Sequence, residues 1–200
     1  MTHDVEFLCK WRCFKKGQKI AFRKGANILV GDQGSGKSSL LYAITCDPSG
    51  LDGGDEFRKL SFDKGDRFRA FDSEKDNPRT KDPNLLPVSM FAVGIVSRFG
   101  SHGETLREIH LCMEDKEVTE PIIIVDEPES GLAIPTVLRL IKAWSKHFIK
   151  KDKQLLIATH HPYIIASVDE VIDMDKGGIW RSSQEYLRQF EKKHRTNLER

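Results

Sequence analysis

The chain has 200 residues, 38% of them apolar and 31% charged, with a formal net charge of +2. This is the composition of an ordinary globular domain, and so small a charge does not by itself argue for a nucleic-acid or membrane partner. No apolar run approaches the roughly 20 residues that span a bilayer. The opening "MTHDVEFLCKWRC" lacks the layout of a secretory signal. No membrane insertion is expected, and the expected location is the cytoplasm.

In chain order, residues 4–14 mix apolar and charged positions in a strand-like way. "KKGQ" reads as a turn and "KIAF" as a second strand. "NILVG" at 27–31 is a short buried-type strand running into glycine, and "KSSLLYAIT" reads as a helix. The Gly/Asp cluster 47–55 is a loop. Residues 56–72 carry Phe57, Phe62, Phe68 and Phe71 among charges, with "DKGD" in the middle, and predict an antiparallel hairpin with one wet face. Two helices are expected in "VSMFAVGIVSRF" and "ETLREIHLCME", either side of the small-residue loop "GSHGE".

"PIIIVDE" at 121–127 is a β-branched run without alternation, the mark of a central parallel strand buried on both faces. "IPTVLRLIKAWSKHFIKK" is a helix with Pro135 in its first turn. "QLLIAT" is another buried strand and "EVIDMD" a late one. The serines of "SSQEYLRQFEKKHRTNLER" are placed to cap a basic C-terminal helix. Cys9, Cys13, Cys46 and Cys112 form no paired motif and read as buried or half-buried free thiols. Strands alternate with helices after residue 25, so the fold class is α/β with a mostly parallel central sheet, a small antiparallel β part and a short helical region. One domain spans 1–200. Its antiparallel parts are expected at about 5–30 and 56–72, a helical region at 83–115 and a C-terminal basic helix at 176–200.

The chemistry starts at "GDQGSGKS", Gly31–Ser38, an intact G-x-x-x-x-G-K-[ST] between a strand and a helix. Glycines at Gly31, Gly34 and Gly36 let the backbone N–H groups of Asp32, Gln33, Ser35 and their neighbours turn inward around phosphate oxygens. Lys37 reaches the β- and γ-phosphates, Ser38 ligates Mg²⁺, and Ser39 follows at the positive end of the helix. A second strand must supply an acid for the metal, and Asp126 is that residue. Glu127, immediately after it, is placed to orient a water for in-line attack. "LLIATHHP" ends another strand in a histidine pair. His160 is assigned to the γ-phosphate, and His161 is read as a neighbour fixed by Pro162.

In this order, "GDQGSGKSS", "GSHGE", "IIIVDE", "ESGLA" and "ATHHP" resemble the ATP-binding-cassette (ABC) ATPases over roughly residues 5–175. They look most like the soluble branch that includes the SMC and RecF proteins. The resemblance implies ATP and Mg²⁺ as ligands. It also implies that Ser101, Gly103 and Glu104 form a signature loop, which contacts the nucleotide of a second copy in a head-to-tail homodimer. DNA, or a DNA-processing or effector protein, is then the implied partner. Three departures stand out: only 64 residues separate Lys37 from Ser101, leaving no room for a coiled coil; Ala133 closes the D-loop; and no glutamine marks a Q-loop, for which Asp72 or Glu74 are the candidates.

Overall fold

The computed structural model describes residues 3–46, 57–61, 68–72, 122–147 and 153–198. Strands β1 (His3–Phe7) and β2 (Lys19–Phe22) pair antiparallel, with Val5 opposite Ile20. The chain then enters β3 (Gly25–Val30), the phosphate-loop segment and helix α1 (Lys37–Thr45). Short β4 (Arg58–Leu60) joins β1 on its other side, giving a small antiparallel sheet in the order β2-β1-β4. The larger sheet takes β5 (Phe68–Asp72), β6 (Ile122–Asp126), β7 (Gln154–Ala158), β8 (Glu170–Asp173) and β9 (Ile179–Ser182). Its order is β5-β6-β7-β3-β8-β9, parallel except for the β8–β9 pair. Helices α2 (Ile134–His147), α3 (Pro162–Ile165) and α4 (Ser183–Leu198) complete the described elements.

The unbroken apolar strands are explained by cover on both faces. Alternate residues point to opposite sides of a pleated strand. Ile28, Val30, Ile123, Val125, Leu155 and Ile157 enter the core shared with α2, α3 and α4. Their neighbours Leu29, Ile122, Ile124, Leu156 and Ala158 enter the core shared with α1 and the small sheet. On α2, Val137, Leu140 and Trp144 recur at helical spacing and are all buried. At the start of α4, the Ser182 hydroxyl accepts the Glu185 N–H at 3.4 Å, the cap expected of those serines.

Three expectations change. Residues 56–72 do not form a hairpin. β4 stays on the small sheet, where the buried Arg58 guanidinium donates to the carbonyls of Ala43 and Cys46 at the C-terminal end of α1. β5 crosses to the large sheet and lies parallel to β6, with Asp72 opposite Asp126. β6, apolar and buried up to its terminal Asp126, must bond its backbone on the side away from β7, and a distant parallel partner meets that need. Second, the first strand ends at Phe7. Residues 8–18 form a loop pinned by stacked rings, Phe7 on Phe14 at 4.1 Å and Trp11 on Phe57 at 4.6 Å. Because this segment leaves the sheet, Cys9 and Cys13 are exposed thiols, and Cys46 is half-buried as expected. Third, the C-terminal helix begins at Ser183, because residues 179–182 form β9.

The expected loop at 47–55, the two helices flanking "GSHGE", and Cys112, Glu74, Ser101, Gly103 and Glu104 lie outside the described residues.

Candidate functional site

The site is built at the carboxyl ends of β3, β6 and β7, where open α/β sheets bind ligands. β3, buried from Asn27 to Val30, delivers Gly31, and α1 begins at Lys37. Between them the chain turns so tightly that two glycines are required. A Cβ on Gly31 would lie 2.6 Å from Ser35 Oγ, and one on Gly36, at φ 99°, would lie 2.3 Å from Cys13 Sγ. Gln33 and Gly34 are exposed at the loop tip, and Ser38 is exposed at the start of α1. Ser39 accepts a hydrogen bond from Arg12 Nη1 at 3.1 Å.

The Lys37 ammonium is folded into the loop. It donates to the carbonyls of Gly31 at 3.0 Å and Asp32 at 3.1 Å, and the residue is only 5% exposed. Burial lowers its pKa from the ordinary lysine value. Glu127, Asp175, Asp126 and Asp32 oppose that shift, Glu127 most strongly. Four carboxylates therefore favour the charged form of one desolvated cation.

Asp126 is the last residue of β6, in register with Ala158 of β7 and with Asp72 of β5. Of the two Q-loop candidates, Asp72 thus ends the strand beside Asp126. Glu127 follows with φ 47°, a left-handed conformation that costs a residue with a Cβ on the order of 1–2 kcal/mol. Its N–H donates to Ala158 O at 2.9 Å, which holds the kink in place. Strain of this kind concentrates at functional sites. Among the described residues no group of three or more His, Cys, Asp or Glu side chains is arranged to hold a metal. The hard oxygens of Ser38 and Asp126 suit Mg²⁺, which takes one or two protein ligands and fills its shell from phosphate and water.

β7 runs through buried Thr159 into exposed His160. His161 caps the short α3 with Pro162 at its first position, and its N–H donates to Thr159 Oγ1 at 2.9 Å. The two histidines thus differ: His160 is exposed and His161 is tied into a turn. Glu129 had no assigned role in the sequence. Its Oε1 accepts the Thr159 hydroxyl at 2.6 Å and the His160 N–H at 2.9 Å.

Further residues at the loop are supplied by distant parts of the chain. Asp175, in the 3-10 turn Met174–Lys176, accepts the Asp32 N–H on both oxygens, at 3.1 and 3.0 Å. Lys193 of α4 pairs with the Asp32 carboxylate. Tyr186 of α4 is buried against the same region. Its phenol is pushed up to about 12 by burial first, then by Asp175, Asp173 and Asp32, against a backbone hydrogen bond from Gly31. A cavity of about 640 Å³ adjoins the loop, lined by Cys13, Lys15, Lys16, Gln18, Ser35 and Asp175 among others. Only the phosphate-loop motif and the basic C-terminal helix had a sequence signal. Their contact joins residues 161 positions apart and had none.

The AAA domain family matches residues 8–82, which include the phosphate loop. No curated protein matches the chain significantly. Among solved structures, CbiO1 from Clostridium perfringens, part of the ABC transporter complex CbiONQ, superposes with a TM-score of 0.59 at 18% identity, covering 98% of this chain and 94% of its own. An inward-facing metal-chelate type ABC transporter gives 0.58 at 14% identity, covering 92% and 84%. A post-hydrolysis dimer of the ATP-binding cassette MJ0796, bound to ADP and phosphate, gives 0.54 at 14% identity, covering 92% and 99%.

Proposed function

We propose, for a chain with the fold of the ABC-type P-loop ATPases, that it binds Mg-ATP and hydrolyses it to ADP and phosphate. The observation that carries this reading is the buried Lys37 ammonium, held by the carbonyls of its own phosphate loop and kept charged in part by Glu127 and Asp126. On binding, Lys37 exchanges those carbonyls for β- and γ-phosphate oxygens, while the N–H groups of residues 32–39 line the rest of the anion. Ser38 and Asp126 would hold Mg²⁺, which neutralises phosphate charge when bound. Glu127 orients the attacking water. His160 stabilises the transferring phosphoryl group, so catalysis is mostly positioning and electrostatics.

The site is completed by a second copy. Ser101, Gly103 and Glu104 cap the partner's γ-phosphate in a head-to-tail homodimer, and the dimeric state of the solved cassette bound to ADP and phosphate supports this arrangement. ATP then acts as a removable link, because its contacts to both copies exist only in the closed state. The closing motion works on DNA or on a DNA-processing partner. Slow turnover would make the same motion a switch that assembles an effector. The transporter complexes among the solved relatives favour a second reading, an ATPase subunit on a membrane partner. Among the described residues no helix is long and apolar enough to cross a membrane. Salt-sensitive DNA binding by the closed dimer supports the first role, and a co-purifying membrane protein the second.

The test of hydrolysis is steady-state turnover of Mg-ATP by the wild type, Lys37→Ala and Glu127→Gln. Glu127→Gln is expected to lose about 100-fold or more in kcat and still bind ATP, as removal of a positioned base does. Lys37→Ala is expected to lose binding. Turnover unchanged by either substitution would defeat the assignment.

A further inference from the structure

The segment after the two acids folds back on the end of β7. Ser130 N–H donates to Glu127 O at 3.0 Å and Leu132 N–H to Glu129 O at 2.9 Å, closing two tight turns around Gly131 at φ 71°. From inside these turns, Glu129 Oε1 accepts both the Thr159 hydroxyl and the His160 N–H. Thr159 is itself fully buried. Its Oγ1 accepts the His161 N–H, and its own N–H donates to Leu29 O at 3.2 Å on β3. One carboxylate oxygen thus joins the backbone of the histidine pair to the segment that leaves Glu127. Thr159 carries that link on to the strand feeding the phosphate loop.

We propose that Glu129 is a positioning residue for hydrolysis, fixing the backbone of His160 relative to Glu127 so that the imidazole reaches the γ-phosphate. The proposal rests on the reading of the chain as an ATPase. A hydrogen bond to an ionised carboxylate is roughly twice as strong as a neutral one, and two of them meet here on one oxygen. His160 is exposed, so packing contributes little to its placement and the backbone anchor dominates. The same turn carries Gly131, Leu132 and Ala133, so any displacement of that segment passes to His160 through Glu129. Glutamine keeps an acceptor at the same reach. Its amide N–H group, however, would replace Oε2, a buried atom with no hydrogen-bond partner among the described residues, so its rescue is incomplete.

The experiment is a double-mutant cycle in the full-length protein: wild type, Glu129→Ala, Glu129→Gln, His160→Ala and Glu129→Ala/His160→Ala. Mg-ATP turnover and binding of a fluorescent ATP analogue are read on each. Glu129→Ala is expected to lower kcat by about 10–100-fold, the scale of a lost charge-assisted bond, with analogue affinity changed by less than about threefold. Glu129→Gln should recover part of kcat. The double variant should be no slower than His160→Ala alone, since Glu129 acts only through His160. A purely structural role would instead add its loss to that of His160→Ala, and that result overturns the proposal, as does an unchanged kcat in Glu129→Ala. If Glu129→Ala does not fold, Glu129→Gln takes its place: its loss of kcat must disappear in the His160→Ala background, and a loss that adds to that of His160→Ala overturns the proposal. Wild-type turnover that does not depend on Lys37 would defeat the ATPase reading itself. Lys37-dependent turnover that is indifferent to Glu129 would defeat only this inference.

Discussion

At the scale of single residues, the site depends on backbone that only particular side chains permit. Gly36 is the sharpest case. Its φ of 99° strains any residue with a Cβ, and an added Cβ would stand 2.3 Å from the Cys13 sulfur, which must move to admit alanine. Gly36→Ala is expected to lose about 1–3 kcal/mol to backbone strain alone, with the clash adding to it. Nucleotide binding should fall with it, because the N–H groups that form the phosphate cradle move. Chemical denaturation and titration with ATP check both, and wild-type values in either would contradict the geometry. The role of Gly36 was legible in the sequence, because the motif states which position must be glycine. Glu129 was not. Its part depends on Thr159 and His160, some 30 residues away, and "ESG" after two acids reads equally well as a solvated turn.

At the scale of elements, the apolar runs at 122–125 and 154–158 were legible as central strands because burial on both faces leaves a mark that alternation does not. The destination of β5 was not. Its charges and phenylalanines suit a hairpin with β4 as well as a parallel pairing with β6, and a partner 54 residues distant leaves no local trace. β9 was missed because four residues following a glycine pair carry too little pattern. Helix α4 was visible, yet its docking against the phosphate loop through Tyr186 and Lys193 was not. That docking has a pH signature. The folded pKa of Tyr186 lies above the ordinary value of 10.0, at about 12, so its stabilising contribution is complete below pH 10 and is lost as pH rises through about 12. Tyr186→Phe should flatten the fall in stability across that window. In absorbance titration, the Tyr186 phenol should ionise only as pH approaches about 12. A wild-type titration complete by pH 10.5 would show that α4 does not bury this phenol.

At the scale of the whole molecule, the carboxyl end of the large sheet carries the residues that the proposed reaction takes from one copy: Lys37 and Ser38 at the start of α1, Asp126 at the end of β6 with Glu127 after it, and His160 after β7. The resemblance to ABC ATPases assigns the remaining contact to Ser101, Gly103 and Glu104 of a second copy. The most direct test of this account is sedimentation of Glu127→Gln with and without Mg-ATP. With hydrolysis blocked, the account expects a monomer that becomes a dimer only with Mg-ATP, and loses that response on Ser101→Arg. A Glu127→Gln protein that binds ATP at saturation and stays monomeric would contradict a site shared between two copies of this chain.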